Sequence, residues 1–234
     1  MPGKNTIKVY IENSFYHVYN RGVEKRLIFL DEQDYRVFLF YMDLYLFPKE
    51  ESIEKIKENI NLTEDEKNKR ISKLLCLNNF YGKIEILCYI LMPNHFHFIL
   101  KQADKNNMEL FMKSLLTKYS QYFNKKYKRV GPLFQGRYKA ILIDKEEYLL
   151  HLSRYIHINA QEELLKNQNL IDYPWSSYAS YIKGVGPRWL NKEYILSYFK
   201  QAQGFSFDSY QGFVEGYKEK SEEEVNLYKK LLLE

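Results

Sequence analysis

Short apolar segments, some of them with alternating hydrophobic and polar residues, predict four strands along this chain. Residues 14–21, SFYHVYNR, are rich in aromatic and β-branched residues and end before Gly22, which predicts the first strand. A second strand is predicted over 81–92, YGKIEILCYILM, and a bend at Pro93-Asn94 separates it from a third strand that starts with HFHFIL. Alternation in YKAILI, residues 138–143, predicts the fourth strand.

Apolar residues at helical spacing predict helices between and after these strands. Asp31 is the expected N-cap of the first helix and Pro48 its end, while Asp144 is expected to cap the last core helix. The stretch 49–75 is highly charged with a thin isoleucine stripe, so we expect one or two exposed helices inserted into the domain. The predicted helical segments are about 30–47, 49–75, 107–127 and 145–166.

The order of these elements is β-α-β-β-α-β-α, which is typical of a ferredoxin-like split βαβ sandwich with one additional helix. We therefore predict an α+β fold with an antiparallel sheet. Residues 1–184 are assigned to this domain, including the inserted helices, and residues 185–234 to a helical C-terminal extension. Within these boundaries, 173–184 is expected to be loop-like, one or two helices are expected between 189 and 217, and the amphipathic tail 218–234 is expected to be a terminal helix.

The composition limits the class of protein. The chain has 234 residues, of which 45% are hydrophobic, and this suits one domain with its own core. No apolar run reaches the roughly 18 residues that a membrane span needs, and the first residues do not resemble a signal peptide. Cys76 and Cys88 are too few for a disulfide framework or a CxxC metal site. We therefore expect a cytoplasmic protein without a membrane partner.

Positive charge is concentrated in one part of the chain. The net charge is +5, and no acidic residue interrupts the basic residues between positions 113 and 139, where aromatic residues are interleaved. Cations neutralise phosphates and aromatic rings stack on bases, so this stretch predicts nucleic-acid binding; a solvated helix with an aromatic core stripe is the alternative. The predicted DNA-binding residues are Lys113, Lys118, Lys125, Lys126, Lys128, Arg129, Arg137 and Lys139, together with Arg21.

Two of the five histidines lie one residue apart in MPNHFHFIL. Side chains at i and i+2 of a strand point to the same face, so His95 and His97 would point out together while Phe96 and Phe98 face the core. Two imidazoles on one face can share a cation. The alternative is two polar residues on the solvated face of a half-buried strand.

The last core helix contains HLSRYIHIN, in which His151, Tyr155 and Asn159 form a polar stripe at i, i+4 spacing. An amide oxygen and two imidazoles make a partial shell for a divalent ion that leaves positions for phosphate oxygens. A tyrosine beside such an ion could attack phosphorus and form a covalent intermediate. From the helix alone, a tyrosine with its hydroxyl at the surface remains the alternative. His17 and His157 are predicted to be structural.

Six motifs in order resemble those of the HUH single-tyrosine transposases, most closely their REP-associated branch: YHVYNRG, FLDEQDY, MPNHFHFIL, GPLFQGRYKA, YLLHLSRYIHIN and WSSY. The resemblance covers roughly residues 14–184. It implies a single-stranded DNA endonuclease and strand transferase, either a transposase or a domesticated relative, that cleaves near DNA hairpins through a 5′-phosphotyrosine intermediate. It also implies that His95, His97 and Asn159 bind Mg²⁺ or Mn²⁺ and that Tyr155 is the nucleophile.

Several features leave alternatives open. Ala160-Gln161 stands where the family usually has proline after its asparagine, which could extend the helix past Asn159 and displace this ligand. His151, one turn before Tyr155, is a candidate for proton transfer, and the alternative is that it takes no part in the reaction. We expect a monomer or a homodimer, in which the tyrosine acts in its own subunit or in the partner. A catalytically silent hairpin-DNA-binding protein of the same fold is the alternative function; an unrelated metallohydrolase would explain neither Tyr155 nor the basic stretch.

Overall fold

The computed structural model describes residues 10–200 and 209–216. In these ranges four strands form one sheet: β1 (Ser14–Arg21), β2 (Ile84–Met92), β3 (His95–Gln102) and β4 (Lys139–Ile143). Their order is β2-β3-β1-β4, and every neighbouring pair is antiparallel. With a helical connection between β1 and β2 and another between β3 and β4, this is the ferredoxin-like arrangement, and the predicted α+β fold is confirmed.

Helices fill the connections and continue after the last strand. Those of the described ranges are α1 (Glu32–Leu46), α2 (Lys49–Glu58), α3 (Glu64–Leu75), α4 (Asn107–Lys126), α5 (Glu146–Ile158), α6 (Tyr178–Lys183), α7 (Glu193–Lys200) and α8 (Tyr210–Glu215). The charged insertion forms α2 and α3, as predicted, and most of its side chains are exposed or half-buried. Across the described part of the chain, no helix is both long and apolar enough to cross a membrane.

The sheet lies between two helical layers, because each of its faces carries apolar residues. On one face, Phe96 and Phe98 of β3 pack in a core with α1 and α4. On the other face, Ile90 and Ile99 pack in a second core with α5, α6 and α8. Burial of both faces explains why β2 reads as a continuous apolar run rather than an alternating one. The second layer places α5 over the face toward which the two histidines of β3 point.

Helix α1 begins and ends as its sequence predicts. The Asp31 carboxylate accepts a hydrogen bond from the backbone N–H of Asp34, which is the expected N-cap. The helix ends at Leu46, and Pro48 then stands at the N-cap position of α2. Pro93 and Asn94 form the tight connection between β2 and β3, also as predicted.

Two boundary predictions for α5 were wrong. Lys145, not Asp144, occupies the N-cap position of α5, and its side chain makes no capping bond. Helix α5 does not continue to residue 166: it ends at Ile158, and residues 159–162 form a single 3-10 turn. In this turn the N–H of Glu163 bonds to the carbonyl of Ala160 three residues back, which is the 3-10 pattern.

The segment 173–184, expected to be a loop, contains helix α6. This helix has six residues, too few for helical periodicity to be visible, and it is held by burial of Tyr178 and Tyr181 in the second core. Gly184 ends it with a left-handed backbone at φ 77°, which glycine adopts without steric cost. Helices α7 and α8 confirm the one or two helices expected between 189 and 217, whereas the predicted terminal helix lies outside the described residues.

Candidate active site

The two histidines of β3 occupy one face of the sheet, as their spacing predicts. The ring centroids of His95 and His97 are 5.0 Å apart and the ring planes are nearly perpendicular, at 88°. His97 is buried with 1% of its surface exposed, whereas His95 is half-buried at the end of the strand. Phe96 and Phe98 point to the opposite face and are fully buried there.

Each imidazole has a polar neighbour at its Nδ1 atom. The Oδ1 atom of Asn94 lies 2.6 Å from Nδ1 of His95, and Nε2 of His17 lies 2.9 Å from Nδ1 of His97. Burial lowers the pKa of His97 well below its ordinary value, and the nearby His17 and His95 lower it further. His97 is therefore a neutral imidazole, which is the form that binds metal ions.

Helix α5 brings Tyr155 over this pair. The Tyr155 ring lies 6.0 Å from the ring of His97, with the two planes at 88°. Leu152 and Ile156, on the apolar side of the same helix, are buried in the second core and hold this orientation. Asn159 follows one turn later as the C-cap of α5. The departure from the family's proline does not carry α5 past Asn159.

Tyr155, Asn159 and His95 share an open cleft of about 330 Å³. The remaining residues of its lining come from the end of β1 and the segment after it, from the end of β2 and the turn before β3, and from the 3-10 turn after α5 and the residue that follows it. They are Arg21, Lys25, Leu27, Met92, Pro93, Asn94, Glu162 and Glu163. The cleft thus combines a nucleophilic side chain, two side chains that can bind a cation, and both basic and acidic groups at its rim.

The donor set fits a divalent cation. The carboxamide of Asn159 offers its Oδ1 atom as a possible ligand, while its Nδ2 atom, which can only donate, is buried without a hydrogen-bond partner among the described residues. His95 and His97 offer imidazole nitrogens on the same face. Within the described ranges no group of three or more histidine, cysteine or acidic side chains could hold a metal ion. A divalent cation that prefers about six ligands and is bound by two imidazoles and one amide oxygen would keep positions open for oxygen atoms of a substrate.

His151 lies apart from this cleft. Its Nδ1 atom is 2.7 Å from the Arg154 guanidinium, its Nε2 is 3.9 Å from the Glu147 carboxylate, and its ring contacts Phe213 of α8. It does not line the space shared by Tyr155 and Asn159. The i, i+4 spacing placed the three residues on one stripe, but the structure brings only the last two to the histidine pair.

His157 belongs to a buried structural network. Its Nε2 atom lies 2.7 Å from the Ser177 hydroxyl and 3.2 Å from the Cys88 thiol, and its Nδ1 lies 2.8 Å from the Tyr210 hydroxyl. Burial lowers the pKa of His157 to about 3, so the ring is neutral. These bonds join α5 to β2, to the start of α6 and to α8.

Three of the predicted DNA-binding residues converge beside His95. Arg21, Arg137 and Lys139 line a small cleft of about 120 Å³ together with Tyr19, Asn20, His95 and Gln135. Arg21 and His95 also line the cleft of Tyr155, so the two clefts are neighbours. Lys113 lines a larger groove of about 760 Å³ between α4 and the segment that leads to β4.

The other predicted basic residues are on or just after α4. Lys126 bonds to the carboxylates of Asp31 and the fully buried Asp34, so its charge is compensated within the fold. Arg129 bonds to Asn124 and lies over the ring of Phe123. These two residues have structural partners. Three further lysines are exposed or half-buried: Lys118, Lys125 and Lys128.

Sequence reasoning missed His17 and the acidic pair Glu162-Glu163 as parts of the site. The i, i+2 spacing of His17, Tyr19 and Arg21 predicts that they share one face of β1, so this part could have been found from the sequence. The contact of His17 with His97, however, depends on the pairing of β1 with β3. Glu162 and Glu163 reach the cleft because α5 ends in a 3-10 turn. Neither local pattern carries that information.

A family model that matches part of the chain agrees with the sequence motifs. Residues 53–159, a little under half of the 234-residue chain, match the family model described as "Transposase IS200 like". This range includes the histidine pair, Tyr155 and Asn159, and it confirms the resemblance to single-tyrosine transposases. A solved structure described as "Structure of the REP associates tyrosine transposase bound to a REP hairpin" is similar to 79% of this chain and 89% of that chain, at 16% identity and a TM-score of 0.44. No curated protein matches the chain.

Proposed function

We propose that this protein is a single-stranded DNA endonuclease and strand transferase that cleaves near DNA hairpins with Tyr155 as its nucleophile. The observation that carries the proposal is the position of Tyr155, whose ring meets that of His97 and which shares a cleft with His95 and Asn159. The family match over residues 53–159 supports transposase-like chemistry.

The reaction assigned to Tyr155 is an exchange of phosphodiester bonds. Its phenolic oxygen loses a proton and attacks the phosphorus of the DNA backbone. A bond forms between this oxygen and phosphorus, the bond from phosphorus to the 3′ oxygen breaks, and the leaving strand end takes up a proton as a 3′-hydroxyl. The downstream strand is then held by its 5′-phosphate on Tyr155. Because the phosphoester is retained, the same hydroxyl or another one can reverse the step without a nucleotide cofactor.

His95, His97 and Asn159 are the residues that would hold a divalent cation, Mg²⁺ or Mn²⁺. When bound, such a cation polarises the phosphoryl group and offsets the negative charge that develops on it. The chain's own contribution is to keep the imidazole of His97 neutral, to hold both imidazoles on one face of the sheet, and to place the phenol beside them. The lining of the cleft by Glu162 and Glu163 adds acceptors for the phenolic proton.

The basic cleft beside His95 suits the strand that flanks the scissile phosphate. Arg21, Arg137 and Lys139 can neutralise backbone phosphates there, and Arg21 borders both clefts. The groove with Lys113 extends the basic surface along α4. A strand that runs from this groove past Arg21 would enter the cleft of Tyr155.

The proposal is tested with a pool of single-stranded oligonucleotides that carry a hairpin and randomised flanks, incubated with the protein and Mn²⁺. A 3′-end label is expected to migrate with the protein on a denaturing gel, while a 5′-end label is released on a fragment with a free 3′-hydroxyl. Tyr155→Phe should form no adduct. Tyr148→Phe, a change to a half-buried tyrosine on the same helix, is the matched control and should form it normally.

Each other outcome contradicts a different part of the proposal. Hairpin binding without an adduct would support the catalytically silent alternative. Cleavage that survives in Tyr155→Phe would indicate water as the nucleophile. An adduct that carries the 5′-label would reverse the assigned polarity.

A further inference from the structure

We propose that His17 is a positioning residue that holds His97 in the tautomer able to bind a cation. In this arrangement Nδ1–H of His97 donates to Nε2 of His17, and Nε2 of His97 carries the lone pair for the cation. The inference rests on the proposed function, because it concerns the cation assigned to His95 and His97.

The geometry of the two rings supports a defined hydrogen bond. Nε2 of His17 and Nδ1 of His97 are 2.9 Å apart, and the exposed fractions of the two residues are 0% and 1%. Their rings are stacked with centroids 5.1 Å apart and planes at 15°. Tyr19 stacks on both rings, at 4.8 Å from His17 and 5.6 Å from His97, which restricts their rotation.

The pairing of β1 with β3 produces this contact. Tyr19 is directly opposite His97 in the antiparallel register, and His17 is opposite Ile99. His17 is therefore the diagonal neighbour of His97 on the same face of the sheet, within reach of a ring contact. Burial of this face under α5 protects the bond from water.

The direction of this hydrogen bond decides whether Nε2 of His97 has a lone pair available for a cation. A neutral imidazole has one N–H and one nitrogen with a lone pair, so a bond between two ring nitrogens has two possible directions. If His97 donates, its Nε2 can bind a cation; if His17 donates, Nε2 of His97 carries the hydrogen and cannot. Partners of this kind commonly orient metal-binding histidines and set their tautomer.

His95 provides an independent comparison within the same site. Its Nδ1 atom lies 2.6 Å from Oδ1 of Asn94, and a carbonyl oxygen can only accept, so Nδ1 of His95 is the donor. Nε2 of His95 is then the nitrogen that can bind a cation. Donation from His97 to His17 places both histidines in the same tautomer.

Stability alone does not account for an imidazole at position 17. A buried polar ring must be desolvated, and an apolar side chain of similar shape would avoid that cost. Nε2 of His17 lies within hydrogen-bond distance of Nδ1 of His97, one of the proposed cation ligands, whereas the fully buried His157 contacts β2, the start of α6 and α8. The bond to His97 gives the imidazole of His17 a role that an apolar side chain could not perform.

The first experiment measures Mn²⁺ affinity without DNA, from the electron paramagnetic resonance signal of free Mn²⁺. His17→Phe fills a similar volume but cannot accept a hydrogen bond, and affinity is expected to fall about 10- to 100-fold. His17→Gln supplies an amide oxygen that can accept, and should recover part of that loss. His157→Gln is the matched control for loss of a buried imidazole, and its Mn²⁺ affinity should match that of the unchanged protein.

The second experiment reads the tautomers directly by long-range ¹H–¹⁵N NMR of the metal-free protein. The hydrogen of His97 is expected on Nδ1, and on Nε2 in a fraction of molecules once His17 is replaced by Phe. A hydrogen on Nε2 of His97 in the unchanged protein would overturn the inference. So would unchanged Mn²⁺ affinity in a folded His17→Phe variant, with folding checked by thermal unfolding.

These readouts separate the inference from the proposed function. If His95→Ala and His97→Ala leave Mn²⁺ binding unchanged, the assigned cation site is wrong. The role proposed for His17 is then wrong as well. If those two variants lose Mn²⁺ affinity but His17→Phe keeps it, the assigned cation site is supported and only the role of His17 is wrong. If His17→Phe fails to fold, His17→Gln and the NMR result on the unchanged protein still decide the question.

Discussion

The ring of Tyr155 meets the ring of His97 edge-on, with centroids 6.0 Å apart and planes at 88°. The tyrosine comes from α5 and the histidine from β3, yet both belong to the same chain. One chain therefore brings together the phenol and the imidazole on which the proposed chemistry depends. This contact does not require a helix exchanged between subunits.

Replacement of His95 by alanine is expected to abolish cleavage while leaving hairpin affinity within about tenfold, since phosphate contacts dominate the affinity of such complexes. Cleavage is measured on a denaturing gel with Mn²⁺, and affinity by fluorescence anisotropy of a labelled hairpin. A collapse of binding together with cleavage would mean that His95 supports the fold rather than the reaction.

DNA binding is expected to weaken steeply with salt, because each protein cation that contacts a phosphate displaces a counterion. Arg137→Gln and Lys139→Gln, which change the basic cleft beside His95, should each lower the slope of log affinity against log salt by about 1. Lys73→Gln on the exposed α3 is the control and should leave the slope unchanged. A flat salt response of the unchanged protein would argue against this surface.

The ion pair between Asp31 and Lys126 predicts a specific pH dependence of stability. The hydrogen bond from Lys126 lowers the pKa of Asp31 below its ordinary value of 3.8, so the pair stabilises the fold above that pH and loses this effect as pH falls. Asp31→Asn can keep the N-cap bond to Asp34 but removes the charge. The difference in urea midpoint between the two proteins should therefore shrink as the pH is lowered from 7 toward 3.

A double-mutant cycle checks the partner in this pH effect. In a Lys126→Met background, Asp31→Asn should cost little further stability at neutral pH, because the favourable charge is already absent. An unchanged cost would assign the effect to the helix end rather than to the ion pair.

Removal of the Tyr210 hydroxyl is expected to lower the free energy of unfolding by about 1–3 kcal/mol, as for a lost buried hydrogen-bond partner. This hydroxyl lies 2.8 Å from Nδ1 of His157 and 3.1 Å from Oγ of Ser153, and it ties α8 to α5. Tyr210→Phe and the exposed control Tyr81→Phe are compared by urea unfolding. Equal losses in the two variants would contradict the structural role of this network.

Much of the fold could be predicted because its signals are local. The strand predicted over residues 14–21 is β1 with the same bounds, and Asp31 caps α1 with its own side chain. The end of α5 and helix α6 could not be predicted in this way. The chain after Asn159 is compatible with helix, and α6 depends on burial of Tyr178 and Tyr181 against distant residues.

The same distinction between local and tertiary information applies to the candidate site. Strand alternation alone placed His95 and His97 on one face, and helical spacing alone placed Tyr155 and Asn159 on one stripe with His151. Sequence therefore determined which side chains share an element and a direction, because backbone geometry repeats every two or every 3.6 residues. Only tertiary structure decided that α5 covers β3, that β1 brings His17 to His97, and that His151 turns toward α8. Contacts between distant segments depend on how whole faces pack, and no short stretch of sequence contains that information.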